Sequence, residues 1–264
     1  MKEKLYILIT LFLIGCSSVP ITSRTQLNVI PENQLISSSS LAYQSFLNEN
    51  VVISSNNQDA QMVKKVGQKL AKACHDYLAD KGDISRLEGF DWEFNLVNSP
   101  EINAWCMPGG KVVVYQGILP ITQNEEGLAV VLSHEIAHAV ARHGNERVSQ
   151  QMVSEYGSVA VSALFANTSD SVANIEAIVS KVYGTGSQLG LLKFSRLHET
   201  EADKMGLVFM EYAGYDSNNA IEFWKRMSAN GGQKPPEFLS THPSDERRIN
   251  DITTFIPIAK SYKN

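Results

Sequence analysis

Residues 132–143, Leu-Ser-His-Glu-Ile-Ala-His-Ala-Val-Ala-Arg-His, constrain this chain more than any other stretch. His134-Glu135-x-x-His138 lies inside an apolar pattern of helix length. Two histidines four apart on a helix share a face, one turn above the other, so both imidazoles reach a single metal ion. Glu135 stands beside the first of them, where its carboxylate meets a water on that metal. The plain alternative is an amphipathic helix with two surface histidines. The flanks fit a helix with the motif at its middle. Asn124 is a good N-cap, Glu125 and Glu126 fill the first turn where the helix dipole favours acids, and Gly144 reads as the stop.

Two histidines do not complete a catalytic site; a third ligand is needed, with one position left open. The metzincin extension is absent, because Ala141 and Gly144 stand where that pattern needs Gly and His. The best downstream candidate is Ser195-Arg196-Leu197-His198-Glu199-Thr200-Glu201-Ala202-Asp203. Glu199 and Asp203 are four apart on a predicted helix and share a face, which suits one ligand and one carboxylate that orients a histidine or the reacting groups. An ordinary acidic helix face is the competing reading. Glu201 points away from that pair and reads as a solvated surface acid.

The two stretches together resemble the CAAX prenyl endopeptidase family of zinc peptidases. Asn103-Ala104-Trp105-Cys106-Met107-Pro108-Gly109-Gly110 and Thr241-His242-Pro243 extend the likeness, which runs from about residue 25 to about 250. The resemblance implies a zincin-like α+β fold, mostly helical, with a small sheet on the metal helix. It implies one Zn2+ held by His134, His138 and Glu199, with Glu135 as general base and Asp203 as a supporting acid. It also favours a site role for His242, which the residues alone leave open between an oxyanion donor, an occupant of the open metal position and a structural loop histidine. The chain lacks the membrane spans of one branch of that family and the tetratricopeptide tail of another. It looks closest to a periplasmic lipoprotein branch.

The amino terminus carries a separate signal. Lys2 and Lys4 precede an apolar run from Leu5 to Ile14, closed by Gly15-Cys16. The run is too short to span a bilayer and has the anatomy of a signal peptide over residues 1–15. A small residue before Cys resembles a bacterial lipobox, so Cys16 is expected to be lipidated, with a plain secretory signal as the alternative. By likeness to sorted lipoproteins, Ser17 favours the outer membrane, facing the periplasm. Residues 16–30 are then a tether and 31–264 one metallopeptidase domain. The net charge of −5 offers no basic surface for nucleic acid. Cys74 and Cys106 remain as a possible disulfide, which an oxidising compartment permits, or as two buried thiols.

Along the rest of the chain, helices are expected from an opening at Pro31-Glu32-Asn33 to about Leu47 and from Asp59 to Ala79, the latter burying Val63, Val66, Leu70, Cys74 and Tyr77. His75 lies just off that stripe and reads as a surface residue. Trp92, Phe94 and Leu96 alternate as a strand, and a hairpin turns at Pro108-Gly109-Gly110 between Asn103–Met107 and Lys111–Tyr115. The segment Asn103–Met107 is the candidate edge on which an extended substrate would lie. Val148 to Tyr183 reads as two helices broken near Asn167–Asp170, either core packing or a lid. Asn218–Met227 and Ser244–Thr253 close the chain as helices, with Ser244 as a cap. His143 and His198 lie about 100° from their metal-binding neighbours on their helices and read as structural.

These readings converge on a zinc endopeptidase of the bacterial envelope acting on unfolded or misassembled, extended polypeptides. Two rivals stand beside it: a zinc-binding chaperone or assembly factor at the outer membrane with little turnover, and an amidase of cell-wall peptides.

Overall fold

Two asparagines begin the helices around which the domain is assembled. The computed structural model describes residues 16–164, 177, 194–230, 237–242 and 246–263. The Asn57 side chain accepts from the amides of Asp59 and Ala60 and opens α2 (Gln58–Asp80), which follows α1 (Glu32–Glu49). Asn124 accepts from the Gly127 amide and, after the short α3 (Leu119–Thr122), opens α4 (Glu125–Ala141). Such caps satisfy amides that a helix start otherwise leaves unpaired. Gly127 is required there, because a Cβ would lie 2.0 Å from the Thr122 carbonyl oxygen. From Gly127 to Ala141 every residue of α4 is buried. A helix buried all round is a core element, and the motif helix sits at the centre of the domain.

α4 does not end at Gly144. It ends at Ala141, and Arg142 takes the left-handed conformation at φ 61° and ψ 32°, its amide returning to the carbonyls of His138 and Ala139. α5 (His143–Leu164) starts at once and contains Gly144. A left-handed non-glycine residue costs about 1–2 kcal/mol. The reversal folds His143 back against the end of α4.

The sheet has the order β3 (Glu93–Val97), β5 (Lys111–Tyr115), β4 (Ala104–Met107), with β3 parallel and β4 antiparallel to β5. β5 is buried along its whole length, and β4 is an edge that packs on α4. The main core joins α2, the sheet and α4 to α6 (Arg196–Ala213), α7 (Asn219–Ala229) and α9 (Glu246–Ser261); the five-residue α8 (Glu237–Thr241) adds Phe238. A second cluster on the other side of the sheet holds Leu35, Tyr43 and Phe46 of α1 against Trp105 and Tyr115. The α+β architecture expected from the sequence is present.

The segment read as a tether is packed. β1 (Cys16–Ser18) and β2 (Thr25–Leu27) form a small antiparallel sheet, and Val19 is fully buried in the core. Gln26 donates to the Ala141 carbonyl at 2.8 Å, and Arg86 donates to the carbonyls of Val140 and Ser18. These bonds close off the end of α4, which composition does not reveal. Cys74 and Cys106 are both free thiols, so the possible disulfide is not formed; Cys74 packs inside the core as a small apolar side chain. His75 is exposed, as expected. The signal peptide, the break near Asn167–Asp170, the lid and the Ser244 cap fall outside the described residues. No described helix is long and apolar enough to cross a membrane.

Candidate metal centre

α4 and α6 pack side by side because Gly206 lets them approach. A Cβ at that position would lie 3.1–3.2 Å from Ser133 Oγ and the His134 amide. The contact sets the first turn of α6, capped by Ser195, level with His134 and His138. His134 Nε2 and His138 Nε2 face each other at 3.0 Å, and Glu199 lies 3.3 Å from the first and 3.4 Å from the second. His242, just past α8, brings its Nδ1 to 3.2 Å from His134 Nε2 and 3.0 Å from Glu199. One ligand atom from each of His134, His138, Glu199 and His242 lies within 4.8 Å of the others, and all four residues are buried. Imidazole and carboxylate donors pointed at one another in a dry site are the arrangement a divalent cation satisfies. The residues fit a metal ion, with His242 as a fourth donor.

The electrostatics agree. Burial opposes protonation of His134, yet the carboxylates of Asp203 and Glu199 outweigh it and raise its pKa. Burial also opposes ionisation of Glu199, but His242, Arg248 and the two motif histidines hold its pKa well below the usual range. Burial drives the pKa of His138 well below 6.5, which favours its neutral form. Glu135 differs from Glu199: burial pushes its pKa up to about 7, with His242 and Glu199 acting in opposite directions. Its Oε1 has no hydrogen-bond partner and lies 3.4 Å from His242 Nε2. The backbone amide of Cys106 on edge strand β4 faces the same carboxylate.

Asp203 orients a histidine. Its Oδ1 sits 3.0 Å from His134 Nδ1, which leaves His134 Nε2 to face the other donors. Arg248 went unassigned in the sequence and is central here. Its guanidinium grips Asp203 at 2.7 and 2.8 Å, reaches Glu199 at 2.9 Å, and lies over the Trp224 ring at 3.5 Å. Glu201 is the opposite of a solvated acid. It is 2% exposed, held by Thr22 at 2.7 Å and by Arg24 at 2.8–3.0 Å, and bonded to His143 at 3.2 Å. His143 and His198 are buried and stack on each other, and neither belongs to the donor cluster. A small open cleft beside Glu199, Asp203 and Arg248 is lined also by Leu207, Ile252 and Phe255.

Four donors around one point make a closed set, whereas catalytic metal sites keep a position open. His242→Ala is therefore expected to raise turnover of an unfolded protein several-fold while weakening cation retention modestly. A fall in turnover would instead make His242 a stabiliser of the reaction. Unchanged turnover and unchanged metal affinity would remove it from the site.

Comparison with known proteins places this geometry. The pattern of Peptidase family M48 matches residues 57–256. The mitochondrial metalloendopeptidase OMA1 of Schizosaccharomyces pombe is 40% identical over 179 residues, 67% of this chain and 50% of that protein. The human metalloendopeptidase OMA1 is 31% identical over 249 residues, 91% of this chain and 46% of that protein. The beta-barrel assembly-enhancing protease of Escherichia coli K12 is 30% identical over 171 residues, 61% of this chain and 33% of that protein. The chain thus spans about half the length of these relatives or less. The matched residues contain every donor of the cluster, and the chain belongs to peptidase family M48.

Proposed function

We propose that the chain is a zinc-dependent endopeptidase that cleaves extended or unfolded polypeptides. The observation that carries this reading is the buried His134–His138–Glu199 set with the Glu135 carboxylate beside it, one oxygen of which has no hydrogen bond. Bound there, Zn2+ would polarise the scissile carbonyl and acidify the attacking water. The residues supply the rest. Asp203 fixes His134, and Arg248 fixes Asp203 and Glu199. Glu135, its pKa near neutrality, takes the proton of the water and passes it to the leaving nitrogen. The substrate lies along the edge of β4, whose main chain accepts an added strand with little demand on sequence.

The cellular setting is part of the same proposal. Cys16 is lipidated after removal of residues 1–15, and the domain faces the periplasm from the outer membrane, as in the LoiP-type lipoprotein branch. The Gly15-Cys16-Ser17 sequence supports this, as does similarity to proteases named for β-barrel assembly. Misassembled envelope proteins are the substrate class that follows. The closed four-donor set favours one alternative, a zinc-binding assembly factor with little turnover.

The test uses the chain from Ser17 onward, incubated with casein and, separately, with muropeptides. Cleavage of casein is expected, abolished by 1,10-phenanthroline and restored by Zn2+ at about one equivalent. Casein cleavage that survives metal removal would overturn the reading. Cleavage of muropeptides alone would replace it with an amidase, and stoichiometric binding without cleavage of either would support the assembly factor.

A further inference from the structure

His134 has its partner in Asp203, but the other motif histidine has no carboxylate of its own. Its ring is held differently. His138 Nε2 faces His134 and Glu199, so the proton of the neutral ring belongs on Nδ1. That Nδ1 meets His143 Nδ1 at 2.9 Å, and no other described group bonds to it. The His138 Nδ1–H therefore donates, and His143 Nδ1 accepts. His143 must then carry its own proton on Nε2, where it donates to Glu201 at 3.2 Å. Each proton position follows from the one before, starting from the requirement that Nε2 of His138 be free to bind a cation.

Glu201 is held in turn by the amino-terminal segment. Arg24 gives it Nε and Nη2 and donates to Glu146 from Nη1 at 2.8 Å and from the shared Nη2 at 2.7 Å, while Thr22 donates to Glu201 as well. Arg24 and Thr22 lie in the turn between β1 and β2. The left-handed Arg142 is what brings His143 within reach of His138, giving that backbone reversal a use at the site.

We propose that His143 is a positioning residue of the metal centre, and that an Arg24–Glu201–His143 relay sets the ring orientation and tautomer of His138 from the amino-terminal segment. A carboxylate behind a metal-binding histidine raises ligand basicity and fixes its tautomer, and losing such partners typically weakens metal binding 10–100-fold. Here one imidazole is inserted between carboxylate and ligand. Residues 16–29 are then part of the metal site's support. The inference rests on His138 being a ligand, as the proposed function has it.

The experiment measures Zn2+ affinity by chelator competition, together with thermal unfolding of the metal-free protein. It compares the parent with Glu201→Gln, His143→Phe, Arg24→Gln and a form lacking residues 16–28. His198→Gln is the control. That ring is as buried as His143, stacks on it and bonds Glu146 at 3.0 Å, but does not touch His138. Glu201→Gln and His143→Phe are expected to weaken Zn2+ binding about 10–100-fold. Arg24→Gln and the shortened form should show a smaller loss, with partial recovery in Arg24→Lys. His198→Gln should lower thermal stability and shift affinity less than about twofold. Nitrogen-15 spectra of the imidazoles give a readout that does not depend on any variant folding: in the zinc-loaded parent, His138 should be protonated at Nδ1 and His143 at Nε2. A His143 protonated at Nδ1 overturns the proposal, and so does equal loss of affinity in the His198 and His143 variants. A parent that binds no Zn2+ would refute the proposed function instead.

Discussion

Glu135→Gln is expected to leave the fold and cation binding in place and to lower peptide hydrolysis by about 10²–10⁴-fold, the range a positioned general base contributes. The substitution changes almost nothing except the base. Glu135 is 2% exposed, and a glutamine of the same shape refills its space. It also needs no new partner for its oxygen, since Oε1 of the native residue already has none. None of the four donors of the cluster is altered, so metal content should stay at about one per chain. The stability should hold or rise slightly, because burial penalises a carboxylate more than a neutral amide. Metal analysis, thermal unfolding and casein cleavage on the same preparation check this. Hydrolysis within about threefold of the parent would show that another group takes the proton. Loss of metal would show that Glu135 is a ligand.

The sequence made the centre legible and left its supports obscure, for a physical reason. His134 and His138 announce themselves because a metal site would need two rare residues at helical spacing, and Glu199 through its pairing with Asp203 four residues on. The cap at Asn124 is equally local and fell where expected, while Asn57 and Ser195, which carry the same local signal, were not read as caps. The hairpin of β4 and β5 was legible in its turn, where Gly109 and Gly110 both take positive φ, and β4 is the edge strand that an extended substrate would need. What failed depended on contacts distant in sequence. Glu201 looked solvated because charge on a helix usually is, yet it shares the buried stripe of α6 with Ala202, Met205 and Phe209. Arg248 lies in register with Ile252, Ile256 and Ala259 on the buried side of α9, and a lone cation on an apolar stripe was the available signal. Arg24 had no such signal: its partners lie more than 120 residues away in α5 and α6. The helix stop at Arg142 was misread because Gly144 is the commoner residue for that conformation, and only the packing of His143 favours the earlier reversal.

Arg248→Met is expected to be the most destabilising single change at the site, costing about 3–5 kcal/mol in the metal-free protein. Arg248 is 6% exposed and lies between two buried carboxylates, both kept ionised in part by its charge. Methionine fills much of the volume and keeps contact with Trp224, so the loss is electrostatic rather than a cavity. Asp203 and Glu199 are then left as buried acids with one cation fewer, which is the costly way to break such a cluster. At about 2–4 °C per kcal/mol for a domain of this size, the melting temperature should fall by about 6–20 °C. Added Zn2+ should recover part of this, because the ion supplies charge to Glu199 but not to Asp203. Arg248→Lys should fall between the two, since an ammonium keeps the charge and loses the fork that holds both Asp203 oxygens. Adding Asp203→Asn to Arg248→Met removes the stranded acid. The double variant should therefore be less destabilised than the sum of the single ones, by about 1 kcal/mol or more. If the two substitutions are additive, Arg248 acts through packing on Trp224 alone, and the ion-pair account of this site is wrong.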